Sequence, residues 1–304
     1  MAISARLIRS RIKSVSNTKK ITKAMELVSA AKMRRAVSSA TAARRYAALG
    51  AELLRNLSDL GATVDHPFFR NADQKNKVLM IVIGSDRGLC GGYNASLMRA
   101  VEATAGKFSQ VDYICAGRHV ELALRRGGRN IIASFPGLTN APRAAAVRPI
   151  VTLAETEFVS GAYDAVYIAS TNYVSALRQI PDVRELLPLA KNPSPPHQSK
   201  LNAGRADSLP VRGDVGLSAD ALFEPDPRTV LEYTLPRFIE AMAYQAVLEA
   251  AASEHSARMM SMRSASDAAG DMITDYTFTL NQARQSAITS EIAEISAGRA
   301  ALEG

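Results

Sequence analysis

Between Ala2 and Leu49 the chain contains no glycine and no proline, and Ala, Lys, Arg, Met, Leu and Ser make up most of it. Such residues favour a helix, and nothing in the stretch stops one once it has begun. At about 1.5 Å per residue the rod would be on the order of 70 Å long, more than an ordinary globular domain requires. It has to leave the globular part and be supported along its length. The apolar positions Ile8, Ile12 and Val15, and again Ile21, Met25 and Val28, are spaced four then three. That period predicts a narrow seam of the coiled-coil type, with Lys and Arg over much of the remaining surface.

The other end of the chain carries a matching pattern. Asp226 and Pro227 form a good N-cap and first-turn pair, and from Arg237 to Ala269 neither Gly nor Pro intervenes. Pro236 is expected to kink this helix early. Leu231, Leu235, Phe238 and Met242, and later Ile288, Ile292 and Ile295, again alternate four and three. Gly270 costs about 1 kcal/mol relative to Ala without necessarily breaking a supported helix, so a second rod on the order of 100 Å is expected. Residues 1–57 hold 13 Lys/Arg against Glu26 and Glu52, a net +11, whereas residues 228–304 are net −4. Two long helices with coiled-coil seams and opposite charge are expected to pair antiparallel, the seam supplying the binding and the charges the orientation.

Between them the pattern changes to short β-rich runs at Lys77–Gly84, Val111–Cys115, Asn130–Ala133 and Tyr163–Ser170. Stretches of helical composition at 91–106, 117–127 and 145–160 separate them. Strand and helix in alternation argue a mostly parallel sheet with crossover helices. The fold class expected is therefore α/β: a long antiparallel coiled coil of N- and C-terminal helices flanking a Rossmann-like domain. Its parts are an N-terminal helix over 1–60, the α/β domain over 75–190, a Pro- and Ser-rich loop or insertion over 191–216, and a C-terminal helix over 217–304.

Several functional classes are disfavoured. No apolar run reaches the roughly 20 residues a membrane span requires, and no presequence is visible at the N-terminus. Cys90 and Cys115 form no CxxC pair and the four histidines lie far apart, so no zinc site, disulfide framework or catalytic constellation is expected. Cys90 reads as a small buried residue and Met259, Met260, Met262 and Met272 as adaptable packing, not as a nucleophile and a soft metal site. Two rivals stay open. The run Gly84-Ser-Asp-Arg-Gly-Leu-Cys-Gly-Gly-Tyr-Asn94 follows a strand and opens a helix, where a nucleotide enzyme would bind phosphate. Its glycine spacing fits neither dinucleotide nor P-loop patterns, and Asp86 would set negative charge beside a phosphate. The basic first helix could instead track nucleic acid, although Tyr46 is its single aromatic and its charges surround an apolar seam.

Three separated blocks resemble one family, the gamma subunits of F-type ATP synthases. They are Ile8-Arg-Ser-Arg-Ile-Lys-Ser-Val-Ser-Asn-Thr-Lys-Lys-Ile-Thr-Lys-Ala-Met-Glu26 with Lys32-Met33; Ser85-Asp-Arg-Gly-Leu-Cys-Gly-Gly-Tyr-Asn94; and Ala252-Ser-Glu-His-Ser-Ala-Arg-Met259 and Met262 with Asn281-Gln-Ala-Arg-Gln-Ser-Ala-Ile-Thr-Ser-Glu291, Glu294-Ile295 and Gly298. Ala268, Leu280 and Arg299 depart from the family's usual Asn, Tyr and Ala, and the cysteine pair of redox-regulated plastid forms is missing. The resemblance implies a central rotor shaft that is not itself an enzyme, carries no cofactor or metal, and binds neither nucleic acid nor a small-molecule substrate. Its partners would be the alpha and beta subunits of the catalytic ring, the epsilon subunit and the c-subunit ring, peripherally on the cytoplasmic side of a bacterial inner membrane. Rotation driven by proton flow would present different shaft faces to each catalytic beta subunit. By the same match Arg284 and Gln285 would hydrogen-bond a loop of a beta subunit, Met25 and Arg258 would lie where helix contacts affect coupling, and Ile288, Ile292 and Ile295 would meet the ring.

Overall fold

Where composition switches between helical and β-rich, the computed structural model switches with it; it describes residues 5–59, 66–70, 72, 74–189 and 227–303. The expected loop over 191–216 and the first ten residues of the expected C-terminal helix lie outside the described residues. In chain order the elements are α1 (Ala5–Asp59), a single 3-10 turn (Pro67–Phe69), β1 (Lys77–Ile83), α2 (Tyr93–Ala105), β2 (Gln110–Ala116), α3 (Arg118–Arg126), β3 (Ile131–Ser134), α4 (Ala144–Val159), β4 (Ala165–Tyr173), β5 (Gln179–Leu187) and α5 (Pro227–Glu303). Helix α5 is continuous through Pro236, Gly270 and Gly298. The chain forms two units, one from the described residues of Met1–Ala30 with those of Arg258–Gly304, the other from those of Ala31–Ala257.

In the larger unit five strands form one sheet in the order β3-β2-β1-β4-β5. The first four are parallel, and β5 runs antiparallel to β4. Because side chains alternate across a strand, β1 feeds both layers. Leu79, Ile81 and Ile83 enter a core with Val151 and Phe158 of α4 and Leu235, Ile239 and Val247 of α5. Met80 and Val82 face Leu97 and Val101 of α2 and Val120 and Leu124 of α3. The first part of α5 thus covers the sheet as a crossover helix would. Helix α1 passes close to it: a Cβ on Gly50 would meet the Phe238 ring at 2.6 Å, so a larger residue there would force the ring aside.

Strand β5 was not expected from sequence. Its charges Asp182, Arg184 and Glu185 and its Pro181 hide any apolar alternation, and seven of its nine positions are half-buried. Such a strand survives at a sheet edge, where a proline's missing N–H costs no central ladder bond. Its partner β4 supplies the register, Thr171 standing opposite Pro181.

In the smaller unit residues 5–30 of α1 lie antiparallel to the end of α5. Thr22 Oγ1 bonds to Ser266 Oγ at 3.1 Å, and Ser266 Oγ donates to the Lys19 carbonyl at 3.3 Å. The seam differs from the one expected. Ile8 is buried and Ile12 and Val15 are half-buried, but Ile21 and Val28 stand 62% and 57% exposed. Continuing the four-three rhythm from Val15 lands on Lys19, Thr22, Glu26 and Ser29. Ile21, Met25 and Val28 lie one residue earlier, about 100° round the helix. Thr22 and Ser29 are buried in their stead. The facing stripe on α5 keeps the same rhythm through Met262, Ser266, Ala269, Ile273, Tyr276, Leu280 and Ala283, each buried or half-buried. Small residues let the backbones approach, and the single proton of the Thr22 hydroxyl has two acceptors within reach, Ser266 Oγ and the Lys19 carbonyl at 3.0 Å.

Candidate functional site

The glycine-containing loop after β1 sits at the carboxyl ends of the parallel strands, where open α/β sheets bind ligands. Here the chain fills that place itself. Asp86 Oδ1 accepts the N–H of Arg118, the first residue of α3, at 3.3 Å, and Oδ2 accepts that of Gly137 at 2.9 Å. A helix N-terminus attracts an anion, and the Asp86 carboxylate is that anion. Gly117 makes the approach possible: its φ of 119° is a left-handed value, and a Cβ there would lie 2.4 Å from the Gly84 carbonyl. Asn94 closes the loop from within, accepting the Ser85 N–H at 3.1 Å and donating to Ser85 Oγ at 2.7 Å and to Cys90 Sγ at 3.4 Å. Cys90 is buried, and burial pushes the Cys115 thiol up to about 12, so neither is a nucleophile.

Helix α5 occupies the space beside the loop. Tyr93 Oη donates to the Ala250 carbonyl at 3.3 Å and Ser253 Oγ to the Thr171 carbonyl at 3.0 Å, tying α2 and β4 to one face of α5. The N-terminus of α3 is thus already taken by the chain's own aspartate. Among the described residues no group of His, Cys, Asp or Glu is arranged to hold a metal ion.

A second polar cluster was missed from sequence. Arg44 of α1 reaches Glu249 of α5 with both arms, Nε to Oε1 at 2.6 Å and Nη2 to Oε2 at 3.0 Å, and donates also to the Tyr173 carbonyl at 3.1 Å. Glu249 accepts in addition from Gln245 Nε2 at 2.8 Å and from the Tyr173 N–H at 3.0 Å. Nothing in a helix rich in Lys and Arg marks Arg44 out. The available signal is Glu249 itself, a carboxylate on the buried side of an Ala-rich helix.

The residues singled out by resemblance fall into two groups. Met25 is half-buried and Arg258 buried at 7% exposure, so Arg258 is part of its own fold's interior surface. Arg284 and Gln285 are exposed, as is every residue from there through Arg299. Extending the Thr22–Ser266 register to Ala5, where α1 begins, reaches Ala283. Beyond it Ile288, Ile292 and Ile295, at 45%, 59% and 73% exposure, repeat the seam spacing with no described residue covering them. They do not join the α1 seam. Leu7, Ile21, Leu27, Val28 and Phe278 of the same unit are also exposed. Isolated apolar side chains on a surface are ordinary, but this many on one helix pair mark an interaction surface.

Comparison with known proteins gives a consistent result. The family described as ATP synthase matches residues 4–302. The ATP synthase gamma chain of Herpetosiphon aurantiacus is 40% identical over 310 residues, covering 98% of this chain and 99% of that protein. That of Coxiella burnetii is 38% identical over 304 residues, with 98% and 99% covered. In solved structures, a chain of the Euglena gracilis mitochondrial ATP synthase (OSCP/F1/c-ring, rotational state 3) aligns with a TM-score of 0.67 at 16% identity, covering 98% of this chain and 94% of that one. A chain of the Tetrahymena thermophila mitochondrial ATP synthase central stalk and c-ring aligns with a TM-score of 0.62 at 23% identity, covering 81% and 99%. These structures share the fold, and the curated relatives, matched end to end, share the sequence: this chain belongs to the ATP synthase gamma chain family.

Proposed function

We propose that the chain is the non-catalytic rotor shaft of an F-type ATP synthase, converting ion-driven rotation into changes at catalytic sites on other subunits. The observation that carries this reading is the bare end of α5. Sixteen consecutive exposed residues, from Arg284 to Arg299, remain helical with Ile288, Ile292 and Ile295 uncovered. A lone helix of that length is marginal in water, so an enclosing partner fits it best. The alpha and beta subunits would form that sleeve, with Arg284 and Gln285 offering donors to a beta-subunit loop.

Coupling in such a machine is mechanical. A shaft can bias a site between open and closed states only through contacts that differ between them. Asymmetry of the helix pair supplies the difference: one seam is buried, while Ile21 and Val28 on α1 and Phe278 on α5 remain outside. Met25 and Arg258 would act through the packing of the helix pair. The α/β unit would take the epsilon subunit and the c-ring, and the chain would be held peripherally at the cytoplasmic face of a bacterial inner membrane. No helix among the described residues is long and apolar enough to cross a membrane.

The test is reassembly. The chain is expected to copurify with alpha and beta subunits and to restore proton-coupled ATP synthesis to a complex lacking its gamma subunit, while showing neither nucleotide affinity nor turnover alone. Saturable nucleotide binding to the isolated chain, with no copurification, would overturn this reading in favour of an α/β enzyme.

A further inference from the structure

Glu249 is 8% exposed at its side chain, and its carboxylate is fully used. Oε1 accepts from Arg44 Nε and Gln245 Nε2, and Oε2 from Arg44 Nη2 and the Tyr173 N–H. Two oxygens offer about four acceptor positions, and all four are occupied. Three elements meet there: Arg44 comes from α1, Glu249 and Gln245 from α5, and Tyr173 from the end of β4. Arg44 Nη2 and the Tyr173 carbonyl, 3.1 Å apart, close the triangle, and Gln245 Nε2 reaches back to the Ala40 carbonyl of α1 at 3.4 Å.

We infer that this cluster is a torsional lock, with Arg44 and Glu249 as positioning residues that stop the helix pair from turning or sliding against the sheet under load; the inference rests on the rotor reading above. Covalently, the sheet joins the helices only through the connections before β1 and after β5. A twisting moment between sheet and helices must otherwise cross side-chain contacts. Those on α5 include apolar ones, such as Leu235, Ile239 and Val247, and single hydrogen bonds, such as those of Ser253 Oγ to the Thr171 carbonyl and of Arg184 Nη2 to the Met242 carbonyl. Apolar burial resists separation but is non-directional, so it opposes sliding weakly. A bidentate guanidinium–carboxylate pair is directional in two axes, and the bonds to Tyr173 fix its position along the strand.

Energetics agree with this role. Burying an ion pair contributes little net stability compared with apolar residues of the same size, because desolvation offsets the attraction. Here Glu249 is buried while the Arg44 side chain is 41% exposed, so the net contribution is small as well, and what the bidentate pair supplies is a single register. Slipping α5 by one residue would take the Glu249 carboxylate away from Arg44 and the Tyr173 N–H and leave it only Gln245 of its own helix, which is unfavourable for a buried charge.

The experiment uses membrane vesicles carrying the complete complex with this chain as gamma subunit, reading ATP hydrolysis and ATP-driven proton uptake on one sample. Arg44→Ala is expected to assemble and to lower proton uptake per ATP hydrolysed by at least about fivefold, the lower end of ordinary coupling effects. Arg44→Lys, which keeps the charge but lacks the fork, should fall between Arg44→Ala and the parent. Arg125→Ala, which breaks the exposed pair to Glu121 on α3, should match the parent. An unchanged ratio in assembled Arg44→Ala complexes overturns the lock. So does a lowered unfolding temperature with an unchanged ratio, since that marks a purely structural role. If Arg44→Ala prevents assembly, Glu249→Gln decides, because it keeps the volume and an acceptor for Tyr173 while removing the ion pair: a lowered ratio supports the lock and an unchanged one overturns it. A parent chain that fails to copurify with alpha and beta subunits overturns the rotor reading itself, and the lock with it.

Discussion

Glu155 of α4 titrates well above the usual carboxylate range. Burial, and then the charge of Glu240 on α5, push it up to about 7, and its Oε1 has no hydrogen-bond partner among the described residues. Glu240 is itself paired with Arg148 and Arg237. The unfolded chain's glutamate titrates near 4.3, so the folded state binds the proton more tightly. The stabilisation is complete below that value and lost as pH rises through about 7. Glu155→Gln is therefore expected to raise the unfolding temperature near pH 8 and to change it little near pH 4, as read by thermal melts followed by circular dichroism at both values. Asp86 was legible in another way: its charge beside a glycine loop argued against phosphate, and the geometry supplies the reason, since its own carboxylate bonds the N-terminus of α3.

The strands β1 to β4 and the helices between them were readable at element scale, because runs such as KVLMIVI leave little alternative to a strand buried on both faces. Strand β5 was not readable, since an edge position relaxes the demand for apolar alternation. The helix seam shows a subtler failure. The spacing was right in period and wrong in phase between residues 15 and 21, because Thr22 and Ser266 do not look like seam residues until their hydroxyls find partners. Those small side chains set how close the helices come. Ser266→Leu, more apolar and nominally a better seam residue, is expected to destabilise the helix pair by about 1–3 kcal/mol through overpacking against Thr22 and the Lys19 carbonyl. Thermal unfolding of the chain checks the sign; an increase in stability would show the seam to be looser than these contacts imply.

For the whole molecule the question is which surfaces are finished. The sheet's two faces are covered by α2 and α3 on one side and α4 and α5 on the other, and at the strand ends Asp86 bonds the N–H groups of Arg118 and Gly137. The end of α5 is not finished. Arg284 and Gln285 stand exposed at its beginning, with three uncovered isoleucines beyond them. Replacing both Arg284 and Gln285 by Ala is expected to slow turnover or weaken coupling in the reassembled complex while leaving the isolated chain's melt within about 0.5 kcal/mol of the parent, as for exposed positions generally. Unchanged ATPase and proton pumping would remove these two residues from the coupling path.

By itself the sequence determined the period-based features: two long helices, four of the five strands, and the family, through three motif blocks in order. Each rests on local chemistry, because helix propensity, strand alternation and motif spacing are properties of neighbouring residues. Only the tertiary structure decided which face of α1 forms the seam, that Asp86 bonds the N-terminus of α3, and that Arg44 and Glu249 close on Tyr173. Those outcomes depend on groups far apart in the chain, 205 residues apart for Arg44 and Glu249. A charged side chain carries no mark in its own neighbourhood of whether water or a buried partner will satisfy it.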